Sequence, residues 1–258
     1  MKSRPNKYEL YARAVQDPEA TADFLATVYW DTHGGSARTL REDFCGTFAL
    51  SEAWVAASED RVAHALDREA EPLAHGKRRA GLDAGARARL HVIRRDVTRG
   101  ALPRADVACA LNFSYCALKE RPALLQYFER CRRSLRPGGV LVVDCLGGVE
   151  SEPNATDRVR YPGFTYLWER ESFDPFTREA LFHIHFEVGS RRIRRAFSYD
   201  WRLWTPAELR DLFEDAGFSR TELYWEGIYR LDRRRKGRAA AALPEDCRSW
   251  VAYLAAVK

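Results

Sequence analysis

The stretch Leu40-Arg41-Glu42-Asp43-Phe44-Cys45-Gly46-Thr47-Phe48-Ala49 decides the fold of this chain. It closes a predicted strand (residues 39–44), turns through small residues and enters a predicted helix. Two later strands each end in an acid, Asp67 and Asp96. An open α/β sheet builds a nucleoside pocket at its carboxyl edge from such a turn and such acids. The pattern therefore predicts an enzyme that uses an adenosine-containing cofactor.

The composition is that of an ordinary intracellular protein. A length of 258 residues suits one α/β domain with a sizeable insertion. No apolar run approaches the roughly 20 residues that span a bilayer, and no apolar segment follows the basic start, so we expect neither a membrane span nor a secretory signal. The six cysteines form no Cys-x-x-Cys pair, which favours buried, reduced thiols and a cytoplasmic location.

Alternating strands and helices are predicted through the first 150 residues. Apolar spacings of three and four predict two helices within residues 7–30, separated where Asp17 precedes Pro18. Parallel strands are then predicted at 39–44, 62–66, 90–94, 106–112 and 140–144. Helices are predicted between them at 50–57, 71–80 and 121–135, and the last is stopped by the turn at 136–139.

The pattern changes after residue 150. Residues 164–173, 179–188 and 192–201 read as three consecutive antiparallel strands. A helix at 206–216 and two last strands, 221–225 and 250–255, complete the chain, with a basic surface loop predicted at 230–243. We therefore divide the chain into an N-terminal helical cap (1–36), a cofactor-binding core (37–150), an antiparallel insert (151–204) and the C-terminal part of the core (205–258).

The order of these features resembles the class I S-adenosylmethionine-dependent methyltransferases over nearly the whole chain. The resemblance rests on residues 42–48, on Asp67 and Asp96, on the Asn112-Phe113-Ser114-Tyr115 element, on the turn at 135–139 and on the terminal strand pair. It implies a Rossmann-like, seven-stranded, mostly parallel sheet with helices on both faces and one reversed strand at the edge. It also implies S-adenosyl-L-methionine as cofactor and S-adenosyl-L-homocysteine as product. The insert after the fifth strand looks most like the glycine/sarcosine-type small-molecule enzymes.

The turn after the first strand departs from the family pattern, acid-x-Gly-x-Gly-x-Gly. Aligned on it, Glu42 takes the acid position, Phe44 and Phe48 replace two glycines, and only Gly46 remains. Gly46 still permits the backbone to approach a ligand closely. Asp43 competes with Glu42 for the acid position. Arg41, or less readily Arg38, is expected to pair with the cofactor's carboxylate; the alternative is a plain surface arginine.

The resemblance assigns the remaining cofactor contacts. Asp67 is expected to accept hydrogen bonds from both ribose hydroxyls. Asp96 is expected to accept from the adenine amino group, with the backbone of Val97 at the ring. Tyr8 and Tyr11 are candidates to close over the cofactor. The predicted cofactor-binding residues are Tyr11, Arg41, Glu42, Asp43, Cys45, Gly46, Thr47, Asp67, Asp96, Val97 and Asn112.

The reacting centre is expected where the fourth strand ends. The element from Asn112 to Tyr115 resembles the Asn-Pro-Pro-aromatic element of amino methyltransferases, without its prolines, and the alternative is a loop packed under the sheet edge. An aromatic chamber from the insert suits a cationic substrate, although most of these rings must form the insert's core. His185, His183 or Glu226 could serve as a general base. The predicted catalytic residues are Asn112, Tyr115 and His185, and the predicted substrate-binding residues are Tyr115, Tyr166, His183, Tyr199, Trp201 and Trp225.

These features predict methyl transfer from S-adenosylmethionine to a nitrogen or oxygen of a small molecule, by in-line displacement. One alternative is a nucleic-acid (RNA) base methyltransferase that uses the Asn112–Tyr115 element and the basic tracts 191–195 and 233–238. Another is a cofactor-binding scaffold that has lost catalysis, supported only by the missing glycines. Because 37 acids nearly balance 42 basic residues, nucleic acid is not the expected partner. We expect no metal, and a monomer or homodimer.

Overall fold

The structure is a computed structural model that describes residues 6–79, 81–225 and 248–258. It begins with two helices, α1 (Lys7–Val15) and α2 (Pro18–His33), as predicted. The side chain of Asn6 accepts from two backbone N–H groups of the first turn of α1, in a capping box with Glu9. Asp17 caps α2 and Pro18 occupies its first turn, which accounts for the break between the helices.

Seven strands form the main sheet. They are β1 (Thr39–Asp43), β2 (Val62–Asp67), β3 (Leu90–Arg94), β4 (Ala105–Ala110), β5 (Leu135–Gly147), β10 (Arg220–Trp225) and β11 (Trp250–Val257). Their order is β10-β11-β5-β4-β1-β2-β3, and only β11 runs opposite to the others. The Rossmann-like, mostly parallel sheet is confirmed, but the reversed strand lies one position in from the edge, because β10 pairs outside it.

Helices cover both faces of this sheet, as predicted. The helices after α2 are α3 (Ala49–Ala56), α4 (Ala70–Arg78), α5 (Ala84–Ala88), α6 (Arg121–Ser134) and α7 (Pro206–Asp215). One buried cluster joins α6 and α7 to the sheet through residues such as Phe128 and Phe213, and a second joins α2 and α3 to the opposite face through residues such as Leu25 and Trp54. Within the described ranges, no helix has the length and apolarity that crossing a bilayer would need.

The insert is an antiparallel sheet of four strands rather than the three that the sequence predicts. Its strands are β6 (Ala155–Tyr161), β7 (Phe164–Phe173), β8 (Glu179–Val188) and β9 (Arg191–Arg202), paired in chain order. The sequence did not predict β6, because this edge strand is mostly polar and exposed, and Asp157 interrupts the face that carries Ala155, Val159 and Tyr161.

Helix α1 lies between the insert and the main sheet. Leu10 is fully buried among Phe164, Ile184 and Phe186 of the insert. At the start of the helix, Lys7 pairs with Glu71 of α4 at 3.1 Å, and the Tyr8 ring stacks on a histidine of α4. Helix α1 therefore packs against both the insert and α4, and the division of the chain into four parts stays a prediction.

Candidate functional site

A cavity of about 490 Å³ opens at the carboxyl edge of the parallel strands. Its walls come from the turn after β1, the ends of β2, β4 and β5, helices α1 and α2, and strand β9. This volume is within the range of small-molecule sites. The predicted cofactor-binding residues that line it are Tyr11, Glu42, Asp43, Cys45, Gly46, Thr47, Asp67 and Asn112.

The turn after β1 keeps the backbone of a three-glycine loop. Phe44, Gly46 and Phe48 all have left-handed φ angles, of 59°, 53° and 52°. These are the positions at which the family pattern has glycine, and a side chain in this conformation costs about 1–2 kcal/mol. A Cβ built on Gly46 would meet no atom within 4 Å, so space is open above this glycine. A ligand can therefore approach the backbone of the turn.

Burial of the two phenylalanine side chains offsets the strain in this turn. Phe48 is almost fully buried in a small apolar cluster with Cys45 and Leu73. Its ring packs so closely on Gly76 of α4 that a Cβ there would lie 2.4 Å from it. The Phe44 ring packs edge-on against Tyr127 of α6. The turn is therefore fixed by packing on both sides rather than by glycine.

Asp67 lies at the end of β2, in the cavity wall. Its Oδ2 accepts from the backbone N–H of Gly46 at 2.8 Å, and its Oδ1 accepts from the N–H of Glu69 at 2.9 Å. Each carboxylate oxygen has a further lone pair. Asp67 can therefore hold the turn and still accept hydrogen bonds from a ligand.

The two adjacent acids of the turn have different surroundings. Glu42 accepts from the backbone N–H and the hydroxyl of Ser51 in α3, at 3.0 and 2.5 Å. Burial raises the pKa of Glu42 to about 7. The oxygens of Asp43 accept instead from the Arg41 guanidinium, each at 2.9 Å, and one also accepts from the Tyr127 hydroxyl. Among the residues that the structure describes, Glu42 has no cationic partner, whereas Arg41 compensates the charge of Asp43.

The prediction that Arg41 pairs with a cofactor carboxylate is wrong. Its side chain is fully buried, lies outside the cavity lining and also donates to Ser134 of α6. Alternation along β1 turns Arg41 and Asp43 toward α6 together. The alternative, Arg38, precedes β1 at the opposite edge of the sheet. Lys7 is the basic residue that lines the described part of the cavity, and it pairs with Glu71.

Asp96 and Val97 follow β3, next to Asp67. The backbone N–H of Arg95 donates to the carbonyl of Asp67 at 2.8 Å. The Asp96 carboxylate accepts from the hydroxyl and N–H of Thr98, which lowers its pKa. Val97 is buried in the main core. Neither residue lines the cavity, so their contacts with adenine stay a prediction.

The element after β4 divides between the cavity and the core. Asn112 and Ser114 line the cavity. The Tyr115 side chain is fully buried, and its hydroxyl donates to the backbone carbonyl of Asp144 at 2.7 Å. The prediction that Tyr115 is a catalytic and substrate-binding residue is therefore wrong, because its ring belongs to the core beneath the edge of the sheet.

The insert contributes Phe197 and Tyr199 to the cavity, and Trp225 of β10 also lines it, as do Tyr8 and Tyr11. Trp201 does not: it is buried and stacks on Tyr199 with 4.4 Å between ring centroids. Tyr166 lies beside Phe186 and outside the lining. The predictions for Trp201 and Tyr166 as substrate contacts are not supported, since these rings pack inside the insert.

His183 and His185 face away from the cavity. Tyr199 pairs with Phe182, whereas His183 pairs with Ser198, and neighbours along a strand point to opposite faces. The Nε2 atoms of the two histidines each lie 2.6 Å from a glutamate oxygen, of Glu171 and Glu169 respectively. The predictions for His185 as catalytic and His183 as substrate-binding are therefore wrong. Glu226 and the basic loop 230–243 lie outside the described residues.

Several acids of the cavity were not among the predicted site residues. Glu69 and Glu71 follow Asp67 at the end of β2. Asp144 closes the predicted fifth strand, 140–144, although the observed β5 continues to Gly147. These positions at the ends of predicted strands were the available signal. The acids that line the cavity are Asp17, Glu42, Asp43, Asp67, Glu69, Glu71 and Asp144. Such a lining favours cationic ligands. In the described ranges, no three metal-binding side chains form a metal site.

No protein-family model and no curated protein matches the chain. Solved structures match it along its length. The sugar N-methyltransferase KedS8 from Streptoalloteichus is 20% identical, with 100% of this chain and 95% of that one covered and a TM-score of 0.66. The CcbJ methyltransferase from Streptomyces caelestis is 18% identical, with 98% and 99% covered and a TM-score of 0.68.

A third solved structure is the S-adenosylmethionine-bound amino pentose methyltransferase CalS10 from Micromonospora echinaspora. It is 19% identical, with 99% of each chain covered and a TM-score of 0.66. At these identities the likeness is one of fold. Together with the sheet order and the single reversed strand, it shows that the chain has the class I S-adenosylmethionine-dependent methyltransferase fold.

Proposed function

We propose that the protein is an S-adenosylmethionine-dependent methyltransferase whose acceptor is the nitrogen of a small-molecule amine. The observation that carries this proposal is the acidic cavity at the carboxyl edge of the sheet, against the turn that follows β1. The fold supports methyl transfer as the reaction. The negative charge of the cavity lining favours an amine nitrogen over a hydroxyl oxygen as the acceptor.

The residues of the cavity fit the cofactor. Open space above Gly46 admits a ligand to the backbone of the turn, and Asp67 has lone pairs suited to a pair of ribose hydroxyls. Glu69 and Glu71 stand on the same wall, where Lys7 compensates the charge of Glu71 and the remaining negative charge favours a cation. When bound, S-adenosylmethionine supplies an electrophilic methyl group on a positively charged sulfur.

The chain's own contribution to the reaction is alignment and exclusion of water. Effective alignment alone can lower the activation free energy by about 7–11 kcal/mol. Helix α1 covers the cavity between two sheets, and Tyr11 lines it from that side. Asn112 lines it at the end of β4, and its amide oxygen can accept a hydrogen bond from an amine. These residues would orient the amine and leave the lone pair of its nitrogen free to attack the methyl group.

An amine that enters as an ammonium ion must first lose a proton. Tyr11 is not the base, because burial raises its pKa to about 12. The pKa of Tyr199 is also raised well above its ordinary value by burial. In the described part of the site, the carboxylates of the lining are the remaining proton acceptors. They also stabilise the ammonium form of the amine when it enters.

The names of the neighbours agree with a nitrogen acceptor, since KedS8 is a sugar N-methyltransferase and CalS10 acts on an amino pentose. Nothing observed favours RNA. A polyanion would meet the acids of the cavity, and in the basic tract 191–195 of β9, Arg195 already pairs with Glu171.

The proposal can be tested with methyl-labelled S-adenosylmethionine. The purified protein is incubated with a panel of small primary amines, amino sugars, the matching alcohols and RNA, and label transfer is measured. We expect transfer to one class of amine and none to its matching alcohol. The Asn112→Ala variant should transfer label at least 10-fold more slowly than the wild type. Transfer to RNA or only to alcohols, or the absence of S-adenosylhomocysteine binding, would overturn the proposal.

A further inference from the structure

We infer that Asp144 is a positioning residue, whose carboxylate fixes the turn that holds Asn112 at the cavity. The inference rests on the proposed function, because it concerns how the acceptor is aligned. Asp144 lies in β5, and Asn112 directly follows Leu111 after the neighbouring strand β4. Asp144 would act through Asn112 and not by direct chemistry on the methyl group.

The carboxylate of Asp144 binds two successive backbone N–H groups. Its Oδ2 accepts from Asn112 at 2.6 Å and its Oδ1 accepts from Phe113 at 2.9 Å. Hydrogen bonds from backbone amides to a carboxylate are among the stronger ones in proteins. Asp144 is only 5% exposed, so few water molecules can replace it in this task. The two residues of the turn are therefore held by one side chain.

The turn needs such support because its backbone is strained. Asn112 and Phe113 have φ angles of 56° and 57°, so two consecutive residues with side chains adopt the left-handed conformation. A strained backbone of this kind persists only where contacts with the surrounding structure hold it in place, and it is found most often at functional sites. The strain thus identifies the turn as a place where a fixed geometry is maintained at a cost in stability.

A second contact ties the same segment to β5. The Tyr115 hydroxyl donates to the backbone carbonyl of Asp144 at 2.7 Å, inside the core. By contrast, the side-chain amide of Asn112, which lines the cavity, makes no hydrogen bond to the residues that the structure describes. The backbone N–H of Asn112 is therefore bound by Asp144, while its side-chain amide is left for a ligand.

Asp144→Asn tests this arrangement with little change in shape. An amide offers one acceptor oxygen, and its NH₂ group would face a backbone N–H, so one of the two N–H groups loses its partner. We expect the amide protons of Asn112 and Phe113 to exchange with solvent at least 10-fold faster than in the wild type, measured by NMR without ligand. We also expect kcat to fall 10- to 100-fold, because small misplacements of an aligning group have effects of this size. The Kd for S-adenosylhomocysteine should change less than 3-fold.

Asp106→Asn is the matched control. The Asp106 carboxylate also accepts two successive backbone N–H groups, from Arg38 and Thr39, both on Oδ2 at 2.9 and 2.8 Å. Its Oδ1 accepts from Arg136 at 3.0 Å, so Asp106→Asn removes a buried carboxylate and its ion pair. It does so at the opposite edge of the same sheet, far along the strands from the cavity. This variant should lower the thermal midpoint as Asp144→Asn does, yet leave kcat within 2-fold of wild type.

The two residues can be linked by a double-mutant cycle. If Asp144 acts through Asn112, the fall in kcat caused by Asp144→Asn should shrink to less than 2-fold in the Asn112→Ala background. Phe113→Gly should restore part of kcat to Asp144→Asn, since glycine adopts the left-handed backbone without strain. Should Asp144→Asn alone fail to fold, the Asp144 and Asn112 comparisons are made in the Phe113→Gly background.

Equal falls in kcat in both backgrounds, unchanged amide exchange, or an equal fall in the Asp106→Asn control would overturn the inference. A wild-type protein that transfers no methyl group would instead overturn the proposed function. The amide exchange of Asn112 and Phe113 would still test, in that case, whether Asp144 fixes the turn.

Discussion

The carboxylate of Asp67 accepts a hydrogen bond from the backbone N–H of Gly46, with 2.8 Å between Oδ2 and the nitrogen. This contact joins the end of β2 to the turn after β1, the two elements that the family resemblance assigns to the cofactor. The same carboxylate faces the cavity. The turn and the acid are therefore held together by a contact of the protein itself, and binding to such a fixed arrangement has a smaller ordering cost.

The packing of Phe48 on α4 predicts an unusual response to Gly76→Ala. Alanine normally stabilises a helix relative to glycine by about 1 kcal/mol. Here its Cβ would lie 2.4 Å from the Phe48 ring and 2.5 Å from the carbonyl oxygen of Thr47. We expect a loss of about 1–3 kcal/mol in unfolding free energy and at least a 10-fold weaker affinity for S-adenosylhomocysteine, because the turn must shift.

Gly81→Ala is the control for this prediction, since a Cβ there meets no atom within 4 Å. It should leave urea unfolding and ligand affinity close to the wild type. A Gly76→Ala protein as stable and as tightly binding as the Gly81→Ala protein would contradict the described contact between α4 and the turn.

The left-handed backbone at Phe44 predicts a reversed order of two variants. Phe44→Ala loses the ring and keeps the strain, whereas Phe44→Gly loses the ring and relieves it. We therefore expect the glycine variant to be more stable than the alanine variant by about 1 kcal/mol. The same pair at Phe128, inside helix α6, should show alanine ahead by a similar amount. Urea unfolding of the four proteins measures both differences; the same order at both positions would be evidence against the strained turn.

The raised pKa of Glu42 predicts how stability depends on pH. In the unfolded chain this carboxyl titrates near its ordinary value of 4.5, and in the folded protein at about 7. Between these values the folded state binds more protons, so unfolding free energy falls as pH rises from about 4.5 to 7 and then levels off. The Glu42→Gln variant lacks this pH-dependent contribution. Between pH 5 and pH 8, its free energy of unfolding should therefore rise by about 1–3 kcal/mol relative to that of the wild type.

Urea unfolding at pH 5, 6, 7 and 8 provides this comparison. Glu59→Gln, at an exposed position, is the control and should follow the wild type at every pH. If the difference between Glu42→Gln and wild type does not change with pH, Glu42 does not titrate as described.

Much of the fold could be predicted because buried parallel strands are short apolar runs that end in turns. Strand β3 was predicted at its observed bounds, and the other parallel strands of the first half overlap their predictions. Strand β6 and helix α5 were missed. The first is polar and exposed at the edge of the insert, and the second has only one turn, too short for a periodic signal.

Some site residues were predicted correctly and others were not. The errors concern the direction in which a side chain points from its strand, and not the chemistry of the residue. Residues at strand ends, such as Asp67 and Asn112, reach the cavity because all parallel strands end at one edge. Arg41 and His185 lie within strands, where the face of a side chain depends on parity and cross-strand register. A single sequence does not contain that register for the insert. Asp144 closes the predicted fifth strand much as Asp67 closes the second, so the same reasoning could have identified it as a cavity residue.

The most direct test of the cofactor site is calorimetric titration with S-adenosylhomocysteine. Wild type should bind with one site per chain, and Asp67→Ala should show no measurable binding, with Asp67→Asn intermediate. Asp174→Ala is the control, because Asp174 also accepts backbone N–H groups in a turn, but in the hairpin between β7 and β8. It should bind as the wild type does. Unchanged affinity of a folded Asp67→Ala protein would contradict the assignment of this cavity to the cofactor.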